Sequence, residues 1–190
     1  MKQLFYIFLF ALVFTTCKAQ ELNTEFKPEG KQAYLIGKID KSGFEDEKYS
    51  SWFNNNYEKY KPDAEVIKTL KLNLKDYDIK LFMGTWCGDS KREVPKFYKI
   101  LEGADYPMNQ LMAVAVSREK GMYKESPQHE EEGLNIVRVP TFIIYKDGKE
   151  VNRVIERPVE TLEKDILNII TQNNYKPNYF GVKKKEKKVK

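Results

Sequence analysis

Gly84-Thr85-Trp86-Cys87-Gly88-Asp89-Ser90-Lys91-Arg92-Glu93-Val94-Pro95 contains one of the two cysteines of this 190-residue chain, and its neighbours on either side define a junction. Before it, Asp78 to Met83 (DIKLFM) is short and apolar, which fits a buried strand. After it, Val94, Phe97 or Tyr98, and Leu101 recur at helical spacing, and the pattern ends near Gly103. Cys87 therefore stands where a strand gives way to a helix. A sulfur at a helix start faces unpaired backbone N–H groups and the positive end of the helix dipole, and both favour thiolate over thiol. Lys91 and Arg92 add positive charge one turn on. Asp89 works the other way, because a carboxylate two residues from the sulfur disfavours a second negative charge. Ser90 can donate a hydrogen bond to a thiolate but cannot attack a sulfur.

Downstream, Leu111 to Val116 (LMAVAV) is a continuous apolar run, the pattern of a strand covered on both faces. Glu125 to Gly133 is polar, and a short helix is expected there. Val139-Pro140-Thr141 leads into Phe142 to Tyr145, then Lys146-Asp147-Gly148-Lys149, then Glu150 to Ile155. Asp-Gly between two strand-like runs predicts a hairpin. Pro158 is read as opening a last helix, with Leu162, Ile166, Ile169 and Ile170 as its inward stripe.

Upstream, Gln32 to Ile39 reads as a first strand. Tyr49, Trp52, Phe53, Tyr57 and Tyr60 recur at helical spacing within Phe44 to Tyr60, and these aromatics are expected to pack rather than to hold a ligand. Lys61-Pro62-Asp63 breaks that helix and starts another, with Val66, Ile67, Leu70 and Leu74 on one face. Alternating helices and apolar strands, closed by a hairpin and a helix, predict an α/β domain with a mixed sheet and helices on both faces. The predicted organisation is a signal peptide over 1–19, a connector over 20–31, one domain over 32–172 and a basic, mobile tail over 173–190.

The formal charge of +5 is unevenly spread, because the last seventeen residues hold seven lysines against Glu186 and leave the rest of the chain near −1. A domain without a basic surplus gives no electrostatic reason to expect nucleic-acid binding. His129 lacks partners at ligand spacing, and no glycine-rich phosphate loop is present, so neither a metal nor a cofactor is expected. At the other end, Lys2, the apolar run Leu4–Phe14 and the polar residues after it read as a secretory signal. That run is too short for a bilayer core, which needs about twenty helical residues. Two exits stay open: cleavage before Cys17, with its acylation as in bacterial lipoproteins, or cleavage after Ala19 to leave a soluble chain beginning at Gln20. In either case Cys87 is the only free thiol of the mature protein, in a compartment where disulfides persist.

Three features, in this order, resemble the thioredoxin family across about Gln32 to Thr171. Trp86-Cys87-Gly88-Asp89-Ser90 stands where the family has Trp-Cys-Gly-Pro-Cys. Pro95 matches the proline that kinks the family's active-site helix. Val139-Pro140-Thr141 resembles its cis-proline loop. The resemblance implies a thioredoxin fold, a mixed central sheet flanked by helices, here with an extra N-terminal helical segment. It also implies that Pro140 is cis, that the loop packs against Cys87, and that its backbone offers hydrogen bonds to an extended substrate. Two departures alter the expected chemistry: Ser90 replaces the resolving cysteine, and Leu81 stands where the family usually buries an acid.

The expected function is monothiol thiol–disulfide exchange in a bacterial cell envelope of Gram-negative type, either in the periplasm or anchored there by lipid. Cys87 would form a mixed disulfide with a disulfide-containing protein or a small thiol conjugate, and an external thiol would release it. Ser90 would assist Cys87, while Trp86, Gly88, Asp89, Val139, Pro140 and Thr141 would line the substrate groove. The alternative is a thioredoxin-fold module that binds peptides without covalent chemistry. Iron–sulfur carriage, as in monothiol glutaredoxins, would need that family's Cys-Gly-Phe-Ser core, which this chain lacks.

Overall fold

The apolar run before Cys87 forms the central strand of a five-stranded sheet in the computed structural model, which describes residues 21–184. In chain order the described elements are β1 (Glu25–Phe26), β2 (Tyr34–Leu35), β3 (Gly37–Ile39), α1 (Glu47–Lys59), α2 (Ala64–Asn73), β4 (Asp78–Met83), α3 (Gly88–Gly103), β5 (Leu111–Ala115), β6 (Thr141–Lys146), β7 (Lys149–Ile155) and α4 (Leu162–Ile170). The expected signal peptide and Cys17 lie outside the described residues, as does the end of the tail from 185 to 190. No helix among the described residues is long and apolar enough to cross a membrane.

The sheet runs β3-β5-β4-β6-β7. Only β4 and β5 pair in parallel, with Leu81 opposite Ala113; the other neighbours are antiparallel. Side-chain alternation along β4 divides the interior. Ile79, Leu81 and Met83 point into a large cluster to which all four α-helices contribute, while Phe82 joins Val114, Ile143, Ile136 and Val139 in a smaller one. Burying each such side chain contributes about 1.5–3 kcal/mol. Helices were expected on both faces, but the smaller cluster is closed by the segment 116–140. The helix expected over Glu125 to Gly133 does not form, and the chain runs there through successive turns after a short 3-10 turn at Lys120–Met122. Its apolar residues, Ile136 and Leu134, come too late and too close together to make a helical stripe.

The aromatics of the first helix pack as expected: Phe53 stacks on Phe44 with ring centres 4.8 Å apart and lies 5.9 Å from Tyr98 of α3. α2 starts where Asp63 caps it, its carboxylate accepting from the N–H groups of Glu65 and Val66. The hairpin forms at Asp147-Gly148, both with positive φ (51° and 72°), the geometry of a type I′ turn.

Four other expectations are corrected. The single strand read over Gln32 to Ile39 is two, because Gly37 takes φ 81° and turns the chain between sheets: β2 pairs with β1, and β3 with β5. The connector over 20–31 accordingly contains a strand. The last helix begins at Leu162 instead of Pro158, since the chain before it folds back so that the N–H groups of Val159 and Glu160 donate to the buried carboxylate of Asp165, at 2.7 and 3.1 Å. The tail is packed from Asn173 to Lys184: Tyr175 donates to Asp165 at 2.7 Å, Asn178 to the Arg157 carbonyl at 2.9 Å, and Asn135 to the Val182 carbonyl at 2.9 Å. A tyrosine and two asparagines supply these contacts, and a reading based on charge and apolar periodicity overlooks them.

Candidate active site

β4 ends at Met83, and the next four residues make the turn that delivers Cys87 to the head of α3. Gly84 is required by its neighbour: a Cβ there would lie 2.6 Å from Cε2 of the Trp86 ring. The indole is then fixed by its Nε1–H, which donates to the Val116 carbonyl at 2.8 Å, and by Tyr123, whose ring centre is 5.8 Å away. The buried Thr85 hydroxyl accepts from the Leu35 N–H at 3.1 Å and ties β2 to the turn. The N–H of Cys87 closes the turn on the Gly84 carbonyl at 2.9 Å.

Cys87 is itself the residue that caps α3, yet its side chain makes no capping bond. Its sulfur donates across to the carbonyl of Val139, 3.3 Å away, and Val139–Pro140 is a cis peptide bond. The thiol and the cis-proline loop thus meet as the sequence resemblance implies. Only the protonated thiol makes this bond, since a thiolate has no hydrogen to give. The side chain is half-buried and packs against the smaller apolar cluster, so one side of the sulfur meets apolar packing.

Ser90 is brought close in sequence but serves another bond. Its fully buried hydroxyl accepts from the Gly84 N–H at 3.2 Å, which locks the end of β4 to the first turn of α3. Asp89 and Arg92 were expected to push the sulfur in opposite directions, but they pair with each other at 2.7 Å, and Arg92 also binds the buried Glu93 at 2.6 Å. Gly88 is exposed, with open space where a Cβ would stand. In the loop, Thr141 donates to the Arg138 carbonyl at 2.7 Å, and the Pro140 carbonyl accepts from the Glu156 N–H at 2.7 Å, so both hold the loop's shape. Leu81 is fully buried in the large cluster.

Lys124 carried no signal in the sequence. It is buried, its Nζ donates to the Val137 carbonyl at 2.5 Å, and burial pushes its pKa down, as do the charges of Arg138 and Lys184, while Cys87 opposes them. It reaches this place only because the turns after β5 bring it back against the cis-proline loop. No local pattern announces such a return. The arrangement as a whole is a half-exposed thiol at a helix start, a carbonyl of a cis-proline loop as its neighbour, and a tryptophan walling one side.

No protein-family model matches the chain. A thioredoxin of Aspergillus fumigatus is 34% identical over 89 residues, which cover 46% of this chain and 73% of that protein. Solved structures that it resembles at lower identity include a protein of unknown function from Pseudomonas aeruginosa, with a TM-score of 0.48 and 12% identity over 73% of this chain and 83% of that one. A Fasciola hepatica thioredoxin gives a TM-score of 0.35 and 21% identity over 57% of this chain and 91% of its own. A relative matched over almost three quarters of its length, together with the Trp-Cys turn and the cis-proline loop that meets the thiol, places this chain in the thioredoxin family.

Proposed function

We propose that the protein is a monothiol thiol–disulfide exchange protein. The observation that carries this reading is the meeting of the Cys87 sulfur with the Val139 carbonyl beside cis-Pro140, at a position open to solvent, with a serine where a second thiol would stand. Thiol–disulfide exchange is the general chemistry of the family. The finer reading follows from what this site lacks. The Cys87 thiolate attacks one sulfur of a disulfide, the S–S bond breaks, the other half leaves as a thiolate, and the proton of Cys87 passes to solvent. Ser90 cannot resolve the mixed disulfide, because its oxygen is no substitute for a thiolate and its hydroxyl already serves Gly84. Release therefore needs a thiol from solution or from the partner. Leu81 supplies no acid to move protons in that step, which suits a stable mixed disulfide and a substrate that brings its own thiol.

Export belongs to the same proposal. Lys2, the apolar run Leu4–Phe14 and Cys17 support delivery to a bacterial envelope, with an acylated Cys17 as the membrane anchor. Disulfide-containing proteins and small thiol conjugates are the substrates such a compartment offers.

Incubation with a protein disulfide at low free thiol should leave an adduct on Cys87 that mass spectrometry finds and that a small thiol removes. Cys87→Ser should form none. Slow alkylation of Cys87 by iodoacetamide, together with tight peptide binding that survives Cys87→Ser, would instead favour the non-covalent binding module.

A further inference from the structure

The packed tail builds a cleft of about 470 Å³ beside the cis-proline loop. Its floor is Ile136 and Val137, its near wall Tyr123 and Lys124, and its far wall Tyr179 and the end of the described tail, Val182 to Lys184. The far wall is held in place. Tyr179 donates to Glu156 and lies under the Arg138 guanidinium at 4.9 Å, Asn135 donates to the Val182 carbonyl at 2.9 Å, and its own oxygen accepts from the Lys184 N–H at 2.7 Å. The inner surface is apolar, with Tyr123 and Val182 each 47% exposed, an unusual place to leave a tyrosine ring and a valine facing water.

The rim is cationic. Lys120, Lys124, Arg138, Lys183 and Lys184 line it, against Glu125, which lies 3.8 Å from Lys184, and the adjacent Glu156, which lies 3.3 Å from Arg138. The Lys124 ammonium donates to the Val137 carbonyl and lies over the Tyr123 ring at 4.9 Å, and the neighbouring Arg138 and Lys184 repel it. An anion in the cleft would relieve that repulsion. The cleft is a neighbour of the reacting sulfur: its lining residues Val137 and Arg138 run directly into Val139, whose carbonyl accepts from Cys87, and Tyr123 packs on Trp86.

We propose that this cleft holds the organic group of the disulfide that Cys87 attacks, and that it selects small acidic thiol conjugates in which a carboxylate stands beside an apolar or aromatic body. The assignment rests on the exchange reading above. Cys87 gives up its proton to solvent, its thiolate forms a new S–S bond with the sulfur whose substituent lies in the cleft, and the other sulfur leaves as thiolate with the electron pair of the broken bond. The thiol of the protein is oxidised to a mixed disulfide, and the attacked disulfide is reduced by the same amount.

Three probes separate the contributions: dithiobis(nitrobenzoate), aromatic and anionic; dithiodipyridine, aromatic and neutral; and cystamine, aliphatic and cationic. The rate constant of Cys87 with each, in the full chain, is divided by that of free mercaptoethanol to remove the probe's own reactivity. The anionic probe should exceed the neutral one by about tenfold and lose that advantage in high salt. Lys183→Glu, at an exposed position, should lower the anionic rate by about threefold to tenfold and the neutral rate by less, whereas Val182→Asp, which also removes apolar surface, should lower both aromatic rates and the anionic one more. Equal normalised rates, or variants that move all three probes alike, would overturn the assignment while leaving exchange intact. No reaction with any probe would overturn the exchange reading and the assignment with it.

Discussion

Ser90 shows how one atom changes what the site is able to do. Its hydroxyl is buried and accepts from the Gly84 N–H, so it is a structural pin at the place where a family member would hold its resolving thiol. Ser90→Cys would put a second sulfur one helical turn from Cys87, on a backbone already shaped for two. It would also trade a good acceptor for a weak one, and an under-satisfied buried N–H costs about 1–3 kcal/mol. The reduced variant should therefore melt below the native protein, while oxidation forms an intramolecular disulfide and recovers stability. With dithiothreitol as reductant it should reduce insulin, slowly, because the buried Leu81 stands where the family usually places an acid. Thiol titration, melting curves and insulin turbidity measure the three expectations separately. A variant that oxidises readily and shows no reductase activity would mean that the groove does not accept protein disulfides. Asp89 and Arg92 illustrate the opposite lesson: two charges that looked influential from their spacing are an exposed pair at 2.7 Å, each largely answered by the other.

Single elements were legible wherever the signal was local. The run Asp78–Met83, the helix after Cys87 and the Asp147-Gly148 turn each follow from a few adjacent residues, and each forms. What failed depends on contacts between segments rather than on a run of adjacent residues. Gly37 divides a strand because β2 finds a partner in β1, ten residues or so upstream, and the tail packs because Tyr175 reaches Asp165. In the site, the Trp-Cys turn and the cis-proline loop could be read from their motif, whereas Lys124 and the cleft could not, since turns and tail assemble them without any periodic pattern. The tail gives a test at this scale. Asp165 is fully buried and accepts from the N–H groups of Val159 and Glu160 and from the Tyr175 hydroxyl. Tyr175→Phe removes the hydroxyl donor with little change in shape and should destabilise by about 1–3 kcal/mol. Truncation after Gln172 should cost more, because the ring contact is lost as well. Denaturant melts of the two variants decide it; an unchanged midpoint for the truncation would show that the tail lies on the domain without holding it.

Across the whole molecule, tyrosine hydroxyls recur as the links between elements. Tyr49 of α1 donates to Glu25 of β1 at 2.6 Å, Tyr57 to Glu102 of α3 at 2.5 Å, Tyr60 to Glu163 of α4, and Tyr175 of the tail to Asp165. In all four, burial is the largest cause that raises the tyrosine pKa, and the facing carboxylate adds to it; Tyr57 is pushed up to about 12. Burial raises Tyr98 and Tyr106 as well. An unfolded tyrosine ionises near pH 10, so above that pH the unfolded chain sheds protons that the folded chain retains. Folding stability is then fully present below about pH 10 and falls as pH rises towards the folded values, by up to about 1.4 kcal/mol per pH unit for each retained proton. Because several such links act together, the loss should be steep and cooperative between about pH 10 and 12. Phenolate absorbance followed alongside circular dichroism measures it. Tyr49, Tyr57, Tyr60, Tyr98, Tyr106 and Tyr175 should ionise only as the structure collapses, in one transition. A smooth titration centred near pH 10 with the fold intact would mean that these hydroxyls are open to water and do not tie the helices together.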